Sequence, residues 1–179
     1  MKLVKIKNVD SQEFRKAWKI YESSFSFDER RSLEMQKEVM KNKRYNFFVA
    51  IKGNTVVGIL TYWKLDDFLF VEHLAVREDL RGQGIGREIM TQLLRNKQKI
   101  ILEVERPENK ITIKRINFYE KLGFKLNKFN YIQPSYGKNK ESVPMFLASY
   151  PRKIKKSEFY SIRKQLYTVV YGLGESLPI

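Results

Sequence analysis

Between residues 9 and 25 the stretch VDSQEFRKAWKIYESSF places Phe14, Ala17, Trp18, Tyr21 and Phe25 on one helical stripe, the periodicity of a helix with one face on a core. Asp10, three positions before Glu13, has the spacing of a capping box and predicts where that helix starts. DERRSLEMQKEVMKN predicts a second helix, with Asp28 as its N-cap and Leu33, Val39 and Met40 as core positions. The periodicity then changes. YNFFVAIKGNTVVGILTYWKL reads as two strands joined at Gly53-Asn54, and DDFLFVEHLAV opens a third after an acidic break.

After RGQGIG, the residues Ile85, Ile89, Met90, Leu93 and Leu94 form a helical stripe. KIILEVE is a strand whose apolar start predicts burial on both faces, and Pro107 ends it. NKITIKRINFYEKLGF predicts a short helix over Ile113, Ile116, Phe118, Tyr119 and Leu122, closed by Gly123. FKLNKFNYIQ and SVPMFLASY follow as strands, separated by the polar loop PSYGKNKE. Beyond Pro151, the residues Phe159, Ile162, Leu166, Val169 and Val170 share one more helical stripe. No repeat or linker interrupts this order. It predicts an α/β domain with a mixed sheet over residues 1–150. A helical extension over 151–179 is expected to pack on that domain or at a dimer contact, in a monomer or homodimer.

Composition narrows the chemistry. The 179 residues contain no cysteine and a single histidine, His73, which removes disulfides, thiolate nucleophiles and the usual zinc ligand sets, so no metal is expected. No run is long enough for a membrane span, and MKLVKIKNVD lacks the apolar core of a secretory leader, so a cytoplasmic protein is expected. The formal charge is +15, a field that favours anionic partners. Stretches such as KNKRYN, RNKQK and GKNKES also fit a compositional bias that merely solvates the surface. A basic nucleic-acid-binding module remains an alternative, although no recognised nucleic-acid motif is present.

The glycine cluster RGQGIG discriminates further. A Walker A loop would need Gly-Lys-Ser/Thr, which is absent. A dinucleotide fingerprint would need its third glycine at position 87 or 89, where Arg87 and Ile89 stand. What remains is a strand, the short loop REDL, and Arg81-x-x-Gly84-x-Gly86 at a helix start. Side-chain-free residues let successive backbone N–H groups face an anion, the helix N-terminus adds partial positive charge, and Arg81 and Arg87 can neutralise phosphate oxygens. That geometry suits a pyrophosphate; a merely flexible turn is the alternative.

At this point VEHLAVREDLRGQGIGREIM resembles the R/Q-x-x-G-x-G/A signature of the GNAT N-acetyltransferase superfamily, and INFYEKLGFK resembles its later FYEKLGF block, with both in the expected order. The resemblance covers about residues 1–150. It implies a mixed, mostly antiparallel sheet flanked by helices. It also implies acetyl-CoA as co-substrate, its pyrophosphate on Arg81, Gly82, Gln83, Gly84, Ile85, Gly86 and Arg87. The pantetheine arm would lie beside the strand ending at Val76, with main-chain groups of Leu74, Ala75 and Val76 pairing with it and polarising the acetyl carbonyl. Tyr119 would be the acid that protonates the departing thiolate. One departure is Thr112, seven residues before Tyr119, where family members often carry Asn.

Acetyl transfer to an amine needs a neutral nitrogen, a polarised carbonyl and a proton for the thiolate. Without cysteine, direct transfer in a ternary complex is the natural route. Strand alternation places Glu72 on the face of Leu74 and Val76, so Glu72 is the candidate base, with His73 pointing the other way if the strand is regular. Glu103 and Glu105 are rivals, and a water chain with no dedicated base competes with all of them. Each carboxylate can equally face solvent or pair with a lysine. The acceptor is an amine on a small molecule or peptide, with Glu29, Tyr131, Gln133 and Tyr136 as possible lining residues. The net charge argues against free polycations unless a local acidic groove overrides it. A catalytically silent CoA-binding or interaction protein would carry the same glycine loop.

Overall fold

The computed structural model describes residues 1–95, 97–137 and 139–174. Asn96 in RNKQK, Lys138 in the loop PSYGKNKE and residues 175–179 of the C-terminal extension lie outside them. The chain divides into two compact units, Met1–Gln98 and Lys99–Ile179. Helices and mostly antiparallel strands make up both, the α/β class that the patterning predicts.

The first unit carries β1 (Lys2–Lys5), α1 (Gln12–Ser24), α2 (Leu33–Val39), β2 (Tyr45–Lys52), β3 (Thr55–Lys64), β4 (Leu69–Val76) and α3 (Ile85–Leu94), with a 3-10 turn over Glu78–Leu80. Its strand order is β1-β2-β3-β4, each neighbouring pair antiparallel. β1 has no counterpart in the sequence reading. It is an edge strand whose residues are mostly exposed, so no alternating apolar face announces it. The cap of α1 is Ser11 rather than Asp10, its hydroxyl accepting from the Phe14 N–H at 3.1 Å. The cap of α2 is Ser32 rather than Asp28. Leu33, Val39 and Met40, expected in the core, are only half-buried; the buried residue of this short helix is Gln36, which donates to the Tyr45 hydroxyl at 3.0 Å.

α1 packs its aromatic stripe on one face of the sheet, with the Phe14 and Phe47 rings 5.6 Å apart. α3 approaches the other face at Gly58, where an added Cβ would lie 2.7 Å from the Ala75 carbonyl oxygen and 3.1 Å from Ile89 Cδ1. Only glycine lets the helix and β4 come this close. Between β3 and β4 the register slips: Thr61 pairs with His73 but Tyr62 pairs with Val71. Glu72 is therefore the extra residue of a β-bulge.

The second unit carries β5 (Ile100–Glu105), α4 (Lys110–Glu120), β6 (Lys125–Gln133), β7 (Val143–Tyr150) and α5 (Lys156–Gln165), which runs into a π-helical turn over Leu166–Val170. Its strand order is β5-β7-β6, again antiparallel. Ile100, Ile101 and Leu102 are buried in succession, as their unbroken apolar run predicts. α4 is capped by Asn109, whose side chain accepts from the Thr112 N–H at 3.0 Å, while the Thr112 hydroxyl accepts from the Asn109 N–H at 3.1 Å. Thr112, Ile116 and Tyr119 form the buried face; Ile113, expected there, is 43% exposed.

α5 packs on β6 through Phe129 and Phe159, stacked with centroids 4.5 Å apart. The π turn, with more residues per turn than an α-helix, re-aims the stripe. Leu166, Tyr167 and Val170 are buried, Val169 is half-buried, and the Tyr167 hydroxyl donates to the Ile132 carbonyl at 2.5 Å. No described helix is long and apolar enough to cross a membrane.

Candidate active site

The segment joining β4 to α3 is shaped by its glycines and by two arginines. Gly82 and Gly84 have φ of 81° and 80°, the left-handed region that other residues enter only with strain. No heavy atom lies within 4 Å of a Cβ built on either, so the turn is open on that side. Gly84 is the N-cap of α3 and its carbonyl accepts the first helical bond, from the Glu88 N–H at 3.0 Å. The N–H groups of Ile85, Gly86 and Arg87 precede that bond and have no acceptor within the helix.

Ile85 is buried and pins this end of the helix, whereas Arg81, Gly82, Gln83, Gly84 and Arg87 are exposed. Arg81 turns back, donating from Nε to the Val76 carbonyl and from Nη2 to Ser24 Oγ, both at 3.2 Å. It holds the loop against the end of β4 and against α1. Arg77 grips Asp79 with two bonds of 2.6 and 2.9 Å, closing the 3-10 turn.

On β4 the bulge breaks the alternation on which the opposite placement of Glu72 and His73 depended. Both side chains reach the α1 side, where Glu72 Oε2 is 3.7 Å from His73 Nδ1. Glu72 Oε1 pairs with Arg31 Nη2 at 2.6 Å, and Oε2 accepts from the Trp63 indole N–H at 3.1 Å. The side chains of Arg31 and Glu72 are 4% and 0% exposed. The Arg31 guanidinium also lies over the rings of Tyr45 and Trp63, at 5.8 and 5.9 Å. Glu72 as a residue is nevertheless only half-buried. Since its side chain is closed off, the accessible part is main chain.

His73 is fully enclosed. Its Nε2 is 3.1 Å from the Glu29 carbonyl oxygen and its Nδ1 is 3.2 Å from the Thr61 hydroxyl. A carbonyl can only accept, which assigns the proton to Nε2 and makes Nδ1 the acceptor from Thr61. Burial pushes the imidazole below its ordinary value, so it is neutral. Tyr21, its phenol raised by the same cause, accepts from the Arg31 N–H at 2.9 Å. The segment between α1 and α2 is thus fastened at the Glu29 carbonyl, the Arg31 N–H and the Arg31 guanidinium. The Glu29 carboxylate is spent locally, on Ser26 Oγ at 2.7 Å.

In the second unit, Tyr119 sits on the inner face of α4, its ring edge-on to Phe118 and Phe124 at 5.1 and 5.6 Å. Burial raises its phenol to about 12, with Arg115 pulling the other way. Its hydroxyl has no hydrogen-bond partner among the described residues. Glu105 is tied to Arg115 of α4. Glu103 draws together three residues proposed from sequence as acceptor-lining or rival groups: it accepts from Tyr131 and Gln133, while Tyr136 stands beside Tyr171, itself bonded to Glu103. Tyr171, Arg31 and Trp63 were missed. Tyr171 follows the apolar stripe of the last helix at a position no periodicity marks, and nothing in SFDERR distinguishes the buried Arg31 from the half-buried Asp28, Glu29 and Arg30 before it.

Comparison with solved structures finds a Bacteroides thetaiotaomicron protein assigned to the GNAT family of acetyltransferases. It is 31% identical, with 97% of this chain and 100% of that chain covered at a TM-score of 0.90. The chain belongs to the GNAT family. The acetyltransferase (GNAT) domain model matches residues 43–126, a span that contains β4, the glycine loop and Tyr119. The Bacillus subtilis (strain 168) protein YjbC, assigned as an acetyltransferase, is 31% identical over 116 residues, which is 63% of this chain and 60% of that protein. A GNAT acetyltransferase from Elizabethkingia anophelis, solved with acetyl-CoA bound, shares the fold at 15% identity and a TM-score of 0.57, over 83% of this chain and 95% of that one. Acetyl-CoA is the co-substrate of this family.

Proposed function

We propose that this GNAT chain moves the acetyl group of acetyl-CoA to a primary amine by direct transfer in a ternary complex. The observation that carries the reading is the left-handed Gly82 and Gly84 pair opening into the uncapped first turn of α3. Unpaired N–H groups, a helix N-terminus and Arg87 form a cradle for the pyrophosphate. Arg81, bonded to the Val76 carbonyl, acts by holding the loop in shape. The accessible main chain of β4 supports pairing of the pantetheine arm along Leu74, Ala75 and Val76. Backbone donors there polarise the acetyl carbonyl without reorganising.

In the reaction the amine nitrogen attacks the carbonyl carbon, the C–S bond breaks, and the departing thiolate takes a proton from Tyr119, whose raised phenol stays protonated at neutral pH. Glu72 has its carboxylate engaged by Arg31 and Trp63 with no exposed surface, so we assign it to holding Arg31 and the segment before α2. The amine proton leaves through water. No acyl-cysteine intermediate can form, since the chain has no cysteine.

The test combines calorimetry with a thiol-release assay. Acetyl-CoA is expected to bind in the absence of any acceptor, and a panel of primary amines to release thiol with stoichiometric acetylated product. No acetyl-CoA binding would overturn the reading. Binding without turnover on any amine or peptide would favour a silent CoA-binding protein instead.

A further inference from the structure

The transfer chemistry does not use the carboxylate of Glu103, yet an unusual set of groups surrounds it. Tyr131 donates to Oε1, Gln133 Nε2 donates to Oε2 at 2.6 Å, and Tyr171 reaches the two oxygens at 3.0 and 2.8 Å. Tyr136 stands with its ring 5.2 Å from that of Tyr171, and Tyr167 lies 5.8 Å from Tyr131. Burial and the neighbouring Glu103 push the Tyr131 phenol well above its ordinary value, so it serves as a donor and stays neutral.

Gln133 supplies the second observation. It is 6% exposed, and its Oε1 has no hydrogen-bond partner. The amide orientation is set by the Glu103 oxygens, which accept from Tyr131 and Tyr171 and so present an acceptor to Nε2. A buried amide oxygen without a donor is costly, which makes it a mark of a missing ligand group. Whatever meets it carries an N–H or O–H donor and sits beside a carboxylate and tyrosine rings. An anion is repelled there. A neutral hydroxyl can offer one donor to the amide oxygen or the carboxylate, but it carries no charge for the carboxylate and the ring faces to attract. A primary ammonium brings three donors and a positive charge, which the carboxylate and the ring quadrupoles both attract.

We propose that Glu103, Gln133 and the tyrosines around them form a cage that binds a primary alkylamine through its protonated ammonium group. The cage is a local exception to the long-range repulsion that a +15 chain exerts on cations.

Titration calorimetry of the intact chain with n-butylammonium chloride, and with 1-pentanol as its neutral counterpart, tests this. Saturable binding of the ammonium is expected, with at least tenfold weaker affinity in Gln133→Met and in Glu103→Gln, and no measurable binding of pentanol. Thermal melts show which variants fold; if Glu103→Gln does not, Gln133→Met decides alone. Absence of saturable ammonium binding to the wild type, undiminished affinity in the folded variants, or equal binding of pentanol would overturn the cage. Acetyl-CoA binding is measured on the same samples. A wild type that binds butylammonium but no acetyl-CoA overturns the transferase reading and leaves the cage. One that acetylates amines while both substitutions leave ammonium affinity unchanged overturns only the cage.

Discussion

Replacing Arg31 with methionine removes the cation facing Glu72 while keeping much of the side-chain volume. The pair is 2.6 Å apart with side chains 4% and 0% exposed, so the remaining carboxylate cannot turn to water. Removing one member of a buried pair costs about 3–5 kcal/mol, because the other charge is left without its partner. Folding free energies lie at about 5–15 kcal/mol, so the loss is a large fraction of the whole. For a chain of this size a kilocalorie shifts the melting temperature by about 2–4 °C, which places the expected drop at about 6–20 °C. The double variant Arg31→Met/Glu72→Gln removes both charges and should recover at least about 2 kcal/mol of the loss. Urea denaturation followed by tryptophan fluorescence measures all three, since Trp63 lies against the pair. A single variant within about 1 kcal/mol of wild type would refute the reasoning. So would a double variant no more stable than Arg31→Met alone.

Other outcomes follow from the same geometry. Tyr119→Phe should lower kcat by about 10²–10⁴-fold if the phenol is the general acid, with acetyl-CoA affinity unchanged by calorimetry; unaltered turnover would remove Tyr119 from the mechanism. Gly84→Asp should weaken acetyl-CoA strongly, since it forces a side chain into a φ of 80° and sets a negative charge beside the phosphate cradle; an unchanged dissociation constant would contradict the cradle. His73 titrates lower in the folded chain than in the unfolded one, so below about pH 6.5 the unfolded chain binds more protons and stability falls as pH falls, by at most about 1.4 kcal/mol per pH unit. Denaturation from pH 7.5 to 5 should show that slope in the wild type and a flatter one in His73→Gln; identical slopes would refute it.

Much of this was legible in the sequence because it depends on local period and composition. The Phe14 to Tyr21 stripe, the Gly53-Asn54 turn and the unbroken Ile100-Ile101-Leu102 run each carry their own signal, and the glycine spacing marks a turn at a helix start, where Gly82 and Gly84 take left-handed φ and Gly84 caps α3. What escaped depends on tertiary pairing. The bulge at Glu72 adds a residue without altering the apolar pattern, so alternation was continued through a strand where it stops. Gln36 and Arg31 are buried because Tyr45, Trp63 and Glu72 converge on them across the fold, and polar residues in short helices and loops give no hint of that. Ser11 and Ser32 won the caps from nearby aspartates because the chain's approach set which oxygen faces the first N–H groups.

The half-accessible Glu72, with its side chain sealed and its main chain open, has a consequence for how this protein can be dissected. In the proposed reaction the working surface of β4 is made of peptide groups, which are the same whatever side chains they carry. Alanine scanning along β4 would report on folding and stay blind to the chemistry. Proline at Leu74 or Val76, or an amide-to-ester replacement by semisynthesis, deletes a single main-chain donor and is the perturbation that reads this strand directly.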